Sequence, residues 1–185
     1  TRVLGKLAEL SDSGIKFYFF VGNHDYWTRD YFQKEIGMEV LKKPTEFKIN
    51  NKLFFVGHGD GLGPGDFKYK FLKRIFRNPL FIFLFRINYP WFGIPLGNFF
   101  SRKNKILSGN NIKFKSKENE ILYHFCKKKL NVKHYDFFIF GHRHLPLKIE
   151  LGNNSCYFNT GDWINHYSFL HFKDCLLYTS DAADD

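Results

Sequence analysis

Phe137-Phe138-Ile139-Phe140-Gly141-His142-Arg143-His144 decides the fold, because two earlier stretches repeat its form. Four apolar residues are too few for a stable helix, and an aromatic-rich run of this length reads as a buried strand. It stops at a glycine, and histidines follow at once. Ile15-Lys16-Phe17-Tyr18-Phe19-Phe20-Val21 does the same before Gly22-Asn23-His24-Asp25. Leu53-Phe54-Phe55-Val56 does it again before Gly57-His58-Gly59-Asp60. Three times a strand delivers a glycine and then side chains able to hold a metal. In open α/β sheets chemistry collects where strands end, and glycine there lets the backbone turn sharply. The pattern predicts an α/β fold with one shared site.

Helical stretches fill the spaces between. Val3, Leu4, Leu7 and Leu10 carry a helical period from the first residues onward. Thr28 to Ile36 reads as a helix capped by Thr28, Asp66 to Phe76 as a basic amphipathic helix, and Ser116 to Leu130 as one long helix. Phe47 to Ile49 and Leu53 to Val56 read as a hairpin turning at Asn50-Asn51. Leu147 to Leu151, a Gly152-Asn153-Asn154 turn, Cys156 to Phe158 and Tyr167 to Phe172 are strand-like.

The chain has 185 residues, enough for one domain with a core, and 25% charged residues beside 44% hydrophobic ones exclude a disordered segment. Three widely spaced cysteines, Cys126, Cys156 and Cys175, indicate neither a disulfide framework nor a cysteine zinc site, and fit a reducing, intracellular setting. The richest apolar stretch, Pro79 to Phe100, is interrupted too often to cross a bilayer, and no signal peptide is visible. The chain opens without Met and in mid-helix, so an upstream segment is expected. From Cys175 to Asp185 the composition changes abruptly, and this stretch resembles a translated sequencing adapter; an ordinary acidic tail is the alternative. Residues 1–174 are then a partial domain and 175–185 a non-native tail. Without the three tail aspartates the formal charge rises from +10 to +13, which favours anionic partners without choosing among nucleic acid, phosphorylated molecules and membrane surface.

His142 and His144 lie two apart, so in extended backbone both imidazoles share one face while Arg143 points away. That spacing suits two neighbouring metals better than one. His58 adds an imidazole and Asn23 an amide oxygen, a donor typical of manganese or magnesium sites. A lone His-x-His is a weak signal, but three such elements, each after a strand and a glycine, are a strong one.

Gly22-Asn23-His24-Asp25, Gly57-His58-Gly59-Asp60 and Gly141-His142-Arg143-His144 resemble the last three motifs of the calcineurin-like metallophosphoesterases. The resemblance implies a four-layer sandwich, two mixed β-sheets flanked by helices, with a dinuclear metal centre where strands end. It implies that Asn23, His58 and His142 hold one metal and that His144 belongs to the other, two divalent ions expected to be Mn2+. It makes His24 and Asp25 the catalytic pair, His24 facing the substrate phosphate and Asp25 orienting it. The family also begins with an Asp-x-His strand and a bridging Gly-Asp, and these 185 residues contain no Asp-x-His and no Gly-Asp before Asn23. The first strands and the bridging carboxylate are expected upstream, and the chain alone is expected to be inactive.

His58-Gly-Asp-Gly-Leu-Gly-Pro-Gly-Asp66, the basic helix after it, an aromatic insertion, His142-Arg-His-Leu-Pro and Asn159-Thr-Gly-Asp-Trp163 are similar to the UDP-2,3-diacylglucosamine pyrophosphohydrolases of lipid A biosynthesis, in their Bacteroidetes-like form. That branch implies release of UMP and 2,3-diacylglucosamine 1-phosphate, with Asn23, His24, Asp66 and His142 binding substrate. Ser101, Lys103 and Lys105 lie in a stretch where the branch has further sugar contacts. Many members of the better-known branch carry Arg where this chain has His24. By the resemblance, the insertion at about 67–110 is a helical cap for acyl chains. By periodicity alone, Leu80 to Phe85 with Tyr89, Trp91, Phe92, Phe99 and Phe100 is apolar all round and favours a helix buried in the core. Arg74, Arg77, Arg86, Arg102 and Lys103 flank it, suiting phosphates or an anionic inner-membrane surface, or simply a solvated face. The expected setting is cytoplasmic and peripheral to that membrane, with no nucleic-acid partner. Another phosphoesterase acting on nucleotides or phosphoproteins, and a non-catalytic phosphate- or membrane-binding module, remain as alternatives.

Overall fold

A computed structural model describes residues 2–26, 28–65, 67–87, 91, 93–95, 98 and 114–181. Its elements in chain order are α1 (Arg2–Asp12), β1 (Tyr18–Phe20), α2 (Tyr31–Ile36), β2 (Glu39–Leu41), β3 (Thr45–Ile49), β4 (Lys52–Val56), α3 (Phe67–Phe76) and α4 (Pro79–Ile87). A 3-10 turn (Lys117–Asn119), α5 (Ile121–Leu130), β5 (Phe137–Phe140), β6 (Pro146–Gly152), β7 (Ser155–Thr160), β8 (Ser168–Lys173) and β9 (Leu176–Asp181) follow. No helix among the described residues is long and apolar enough to cross a membrane.

The centre is a mixed five-stranded sheet in the order β3-β4-β5-β7-β6. β4, β5 and β7 run parallel, and antiparallel hairpins close both edges. Both hairpins turn on Asn-Asn pairs, Asn50-Asn51 and Asn153-Asn154, whose four residues all have positive φ. Such turns match the twist of the strands, and asparagine tolerates the left-handed region better than most residues do. Register places Phe55, Phe138, Tyr157 and Ile149 on one face, where they pack with Phe140, Leu122 and Cys126 to form the core under α5.

The opposite face carries Phe47, Phe54 and Phe137. β1 packs on it through Tyr18 and Phe20, whose rings lie 5.0 and 6.2 Å from that of Phe47. β8 packs on it through Phe172, 4.9 Å from Phe54 and 6.1 Å from Phe137. The second strand layer therefore consists of the parallel pair β1–β2 and the antiparallel pair β8–β9. α2 covers β1 from outside through a 4.3 Å contact between Phe32 and Phe19, and α1 lies against α2. The order of layers is α5, five-stranded sheet, paired strands, then α1 with α2: an α/β sandwich.

Several boundaries differ from the sequence reading. α2 starts at Tyr31 after Asp30, not at Thr28, whose hydroxyl donates instead to the Asp25 carbonyl at 2.9 Å. The long helix from Ser116 is broken at Glu120, whose extended backbone separates the 3-10 turn from α5. Its carboxylate is buried against Arg143, and that contact holds the break. Leu176–Asp181, within the expected tail, forms β9, which pairs residue for residue with β8, and Leu176 and Tyr178 are exposed. α4 is not a core helix, since Leu80, Phe81, Phe83, Leu84 and Ile87 are all exposed. Tyr89, Phe92, Phe99, Phe100, Ser101, Arg102, Lys103 and Lys105 lie outside the described residues, as does Asp66.

Candidate metal centre

Parallel pairing of β4 with β5, Val56 opposite Ile139, brings two of the glycine-histidine motifs side by side. The ladder continues past the strands. Gly57 N–H donates to the Ile139 carbonyl at 3.0 Å, and Gly141 and His142 N–H both donate to the His58 carbonyl, at 3.0 and 2.9 Å. The His58 and His142 rings consequently lie 5.3 Å apart, edge to face. β1 supplies the third motif from the neighbouring layer. Asn23 Oδ1 sits 2.9 Å from His58 Nε2.

Two glycines make this approach possible. A Cβ on Gly22 would stand 2.9 Å from His58 Cε1 and 3.0 Å from Asp25 Oδ2. Gly59 has φ +105°, and a Cβ there would meet Phe140 and Leu122. Asp25 closes its own loop, its Oδ2 accepting the Gly22 N–H at 3.2 Å. His24 projects from this loop into solvent.

Electrostatics keep the imidazoles neutral. Burial pushes His142 down to about 4, and the adjacent His58 adds to the shift. Burial likewise lowers His58, against the opposing pull of Asp60 and Asp25. Neutral imidazole is the form that binds metals. Nδ1 of His142 is buried and has no hydrogen-bond partner, which leaves a lone pair or proton without a protein use. Among the described residues no three His, Cys, Asp or Glu side chains gather closely enough to hold a metal. The donors are two neutral imidazoles and an amide oxygen, and they fit part of the shell of a divalent ion.

His144 is placed differently from the sequence expectation. β5 ends at Phe140, and His144 N–H closes a turn onto the Gly141 carbonyl at 3.2 Å, with φ +53° at His144. The His-x-His pair therefore lies in a turn rather than on one face of a strand. His144 Nδ1 lies 3.9 Å from Asp162 Oδ2, and His166 Nδ1 lies 3.5 Å from Asp162 Oδ1. Burial opposes ionisation of Asp162, but N–H groups of Asn165, Ile164 and His166 hold its carboxyl well below the ordinary range.

One group was not foreseen. Asp60 Oδ2 accepts from the Tyr26 hydroxyl at 2.7 Å and the Tyr69 hydroxyl at 3.0 Å, and pairs with Lys73 Nζ at 2.5 Å. The available signal was the four-residue spacing of Tyr69 and Lys73, which puts both on one face of α3.

No family model matches the chain. The UDP-2,3-diacylglucosamine hydrolase of Porphyromonas gingivalis is 37% identical over 198 aligned residues, which cover 100% of this chain and 75% of that protein. The protein of the same name from Ectopseudomonas mendocina is 30% identical, over 88% of this chain and 67% of that protein. Another from Pseudomonas fluorescens is 28% identical, over 87% of this chain and 65% of that protein.

Proposed function

The chain belongs to the family of UDP-2,3-diacylglucosamine hydrolases, and on that premise we propose that it carries the metal-site portion of an enzyme of lipid A biosynthesis. The reaction is hydrolysis of the pyrophosphate of UDP-2,3-diacylglucosamine to UMP and 2,3-diacylglucosamine 1-phosphate. One observation supports this most: the 2.9 Å approach of Asn23 Oδ1 to His58 Nε2, between residues 35 apart in the chain, beside the buried His142 ring.

In this reading Asn23, His58 and His142 hold one divalent ion, and His144 contributes to a second. The Asn23 amide oxygen is the donor that favours manganese. Bound divalent ions would polarise the phosphate and acidify an attacking water. The chain's own residues do the rest. Depressed basicity keeps His58 and His142 unprotonated at neutral pH, so protons do not compete for their lone pairs. His24, at the solvent-facing tip of its loop, donates to the phosphate and stabilises charge there. Asp25 fixes that loop through the Gly22 N–H. Asp66 contacts the sugar.

A cleft of about 400 Å³ beside this site joins the cations Arg29, Lys42 and Arg77 to Pro79, Ile82 and Phe83 of α4. Cations beside an apolar wall suit a phosphate next to acyl chains. The exposed apolar side chains of α4 likewise suit the anionic inner face of a cytoplasmic membrane, where a diacylated substrate resides.

The test uses a protein extended upstream to the length of the Porphyromonas relative. Manganese-dependent release of UMP is expected, with His58→Ala and His142→Ala each reducing turnover by about a hundredfold or more. Metal-independent turnover would refute the metal assignment. Rapid cleavage of simple phosphodiesters with no action on the diacylated nucleotide would refute the substrate.

A further inference from the structure

α3 is attached to the body in an unusual way. Among its described side chains none is fully buried: Phe67 and Phe71 are exposed, and Leu72, Ile75 and Phe76 are half-buried. Its side-chain hydrogen bonds converge on the residues just after His58. Tyr69 donates to Asp60 Oδ2, and Lys73 bonds both that oxygen and the Asp60 carbonyl, the latter at 2.9 Å. Lys70 Nζ donates to the Gly63 carbonyl at 2.7 Å. Asp60 also accepts from Tyr26, two residues beyond His24, and the Arg77 guanidinium lies 5.6 Å from the centre of the Tyr26 ring.

Asp60 is itself 6% exposed. A buried carboxylate is costly unless paired and hydrogen-bonded, and here three donors from two other segments supply that compensation. Removing it leaves Lys73, Tyr26 and Tyr69 without their common acceptor.

We propose that Asp60 is a positioning residue, a latch that fastens the α3 segment and the His24 loop to the His58 loop. α3's part in a substrate cap rests on the function proposed above; its attachment through Asp60 does not. The latch also holds Tyr69 near the metal ligands, its ring centre 6.2 Å from that of His142.

The test is hydrogen–deuterium exchange on the metal-free 185-residue chain, comparing Asp60→Asn with Asp136→Asn, a second largely buried, ion-paired aspartate at the far end of the sheet. Asp60→Asn should speed exchange of the amides of residues 67–76 by about tenfold or more while β5 and β7 keep their protection. Asp136→Asn should not single out α3. Lys73→Met breaks the latch from the helix side with Asp60 in place, and should loosen the same amides even if Asp60→Asn fails to fold. Unchanged protection of α3 in Lys73→Met, or loosening no greater than in Asp136→Asn, would overturn the latch. In the upstream-extended enzyme, Lys73→Met, which loosens α3 but leaves the Tyr26–Asp60 bond to the His24 loop in place, should raise KM for the diacylated nucleotide by about tenfold with kcat within about threefold. A fall in kcat at unchanged KM would overturn the cap-positioning role. The exchange result needs neither metal nor turnover, so it can fail while the proposed reaction stands, and the reverse.

Discussion

Phe81-Ile82-Phe83 and Phe138-Ile139-Phe140 are the same three residues in the same order, and they end in opposite places. Phe138 and Phe140 are both 0% exposed in the central strand β5, whereas Phe81 and Phe83 are 50% and 56% exposed on α4. Composition cannot account for the difference; the flanks do. Asn78-Pro79 opens α4, with Asn78 Oδ1 accepting the Leu80 N–H at 2.9 Å and proline at the first helical position. Asp136 opens β5 between two partners, its N–H donating to the Leu53 carbonyl and its own carbonyl accepting from Cys156. Hydrophobicity proposes burial, but hydrogen-bonding neighbours decide whether a strand or a helix takes up the segment.

The largest expected effect tests this contrast directly. Phe138→Ala should destabilise the chain by about 3–5 kcal/mol in denaturant unfolding. Phe81→Ala should stay within about 0.5 kcal/mol. Equal losses would mean that α4 is buried in solution and would break the comparison.

The flanks can be tested next. Asp136 accepts the Leu53 N–H at 2.8 Å and Lys52 Nζ at 2.9 Å. Burial opposes its ionisation, but these two donors outweigh it and hold the carboxyl below its ordinary value. The folded state therefore binds this proton less readily than the unfolded state. The resulting stability is complete above about pH 4 and is lost as pH falls through the lower folded value. Asp136→Asn should remove that part of the acid dependence and lower stability at neutral pH by about 1–2 kcal/mol. An unchanged acid profile would show that the strand's opening residue is not what fixes β5. Asn78→Ala should have the smallest effect, about 0.5–1 kcal/mol, confined to the first turn of α4 and read as faster amide exchange there with no shift in the global unfolding midpoint.

The same contrast explains what the sequence revealed. Strands ending in glycine were legible because a short aromatic run bounded by Gly has few other readings, and both Asn-Asn hairpins followed from turn chemistry. Asn23, His58 and His142 were recognisable as candidates because each directly follows a strand. Helix limits were less legible. Thr28 looks like a cap but bonds the Asp25 carbonyl, and Glu120 breaks a well-patterned helix because Arg143, remote in sequence, claims its carboxylate. In the sequence Asp60 is one residue of a glycine-rich loop, and Lys73 one of several basic residues of an amphipathic helix. Only the tertiary structure shows that they meet. The extended backbone expected across His142 and His144 is instead a turn, because β5 ends at Phe140.

The continuous ladder from β4–β5 into the His58 and His142 loops has a consequence in time. Leu53 and Asp136, which bond across that ladder, are 83 residues apart in the chain. Parallel pairing at such separation closes late, because a large loop must be ordered before any contact rewards it. The histidines cannot be neighbours before this happens. A partly folded chain therefore lacks the assembled donor set, and metal capture should mark the final stage of folding rather than guide its beginning.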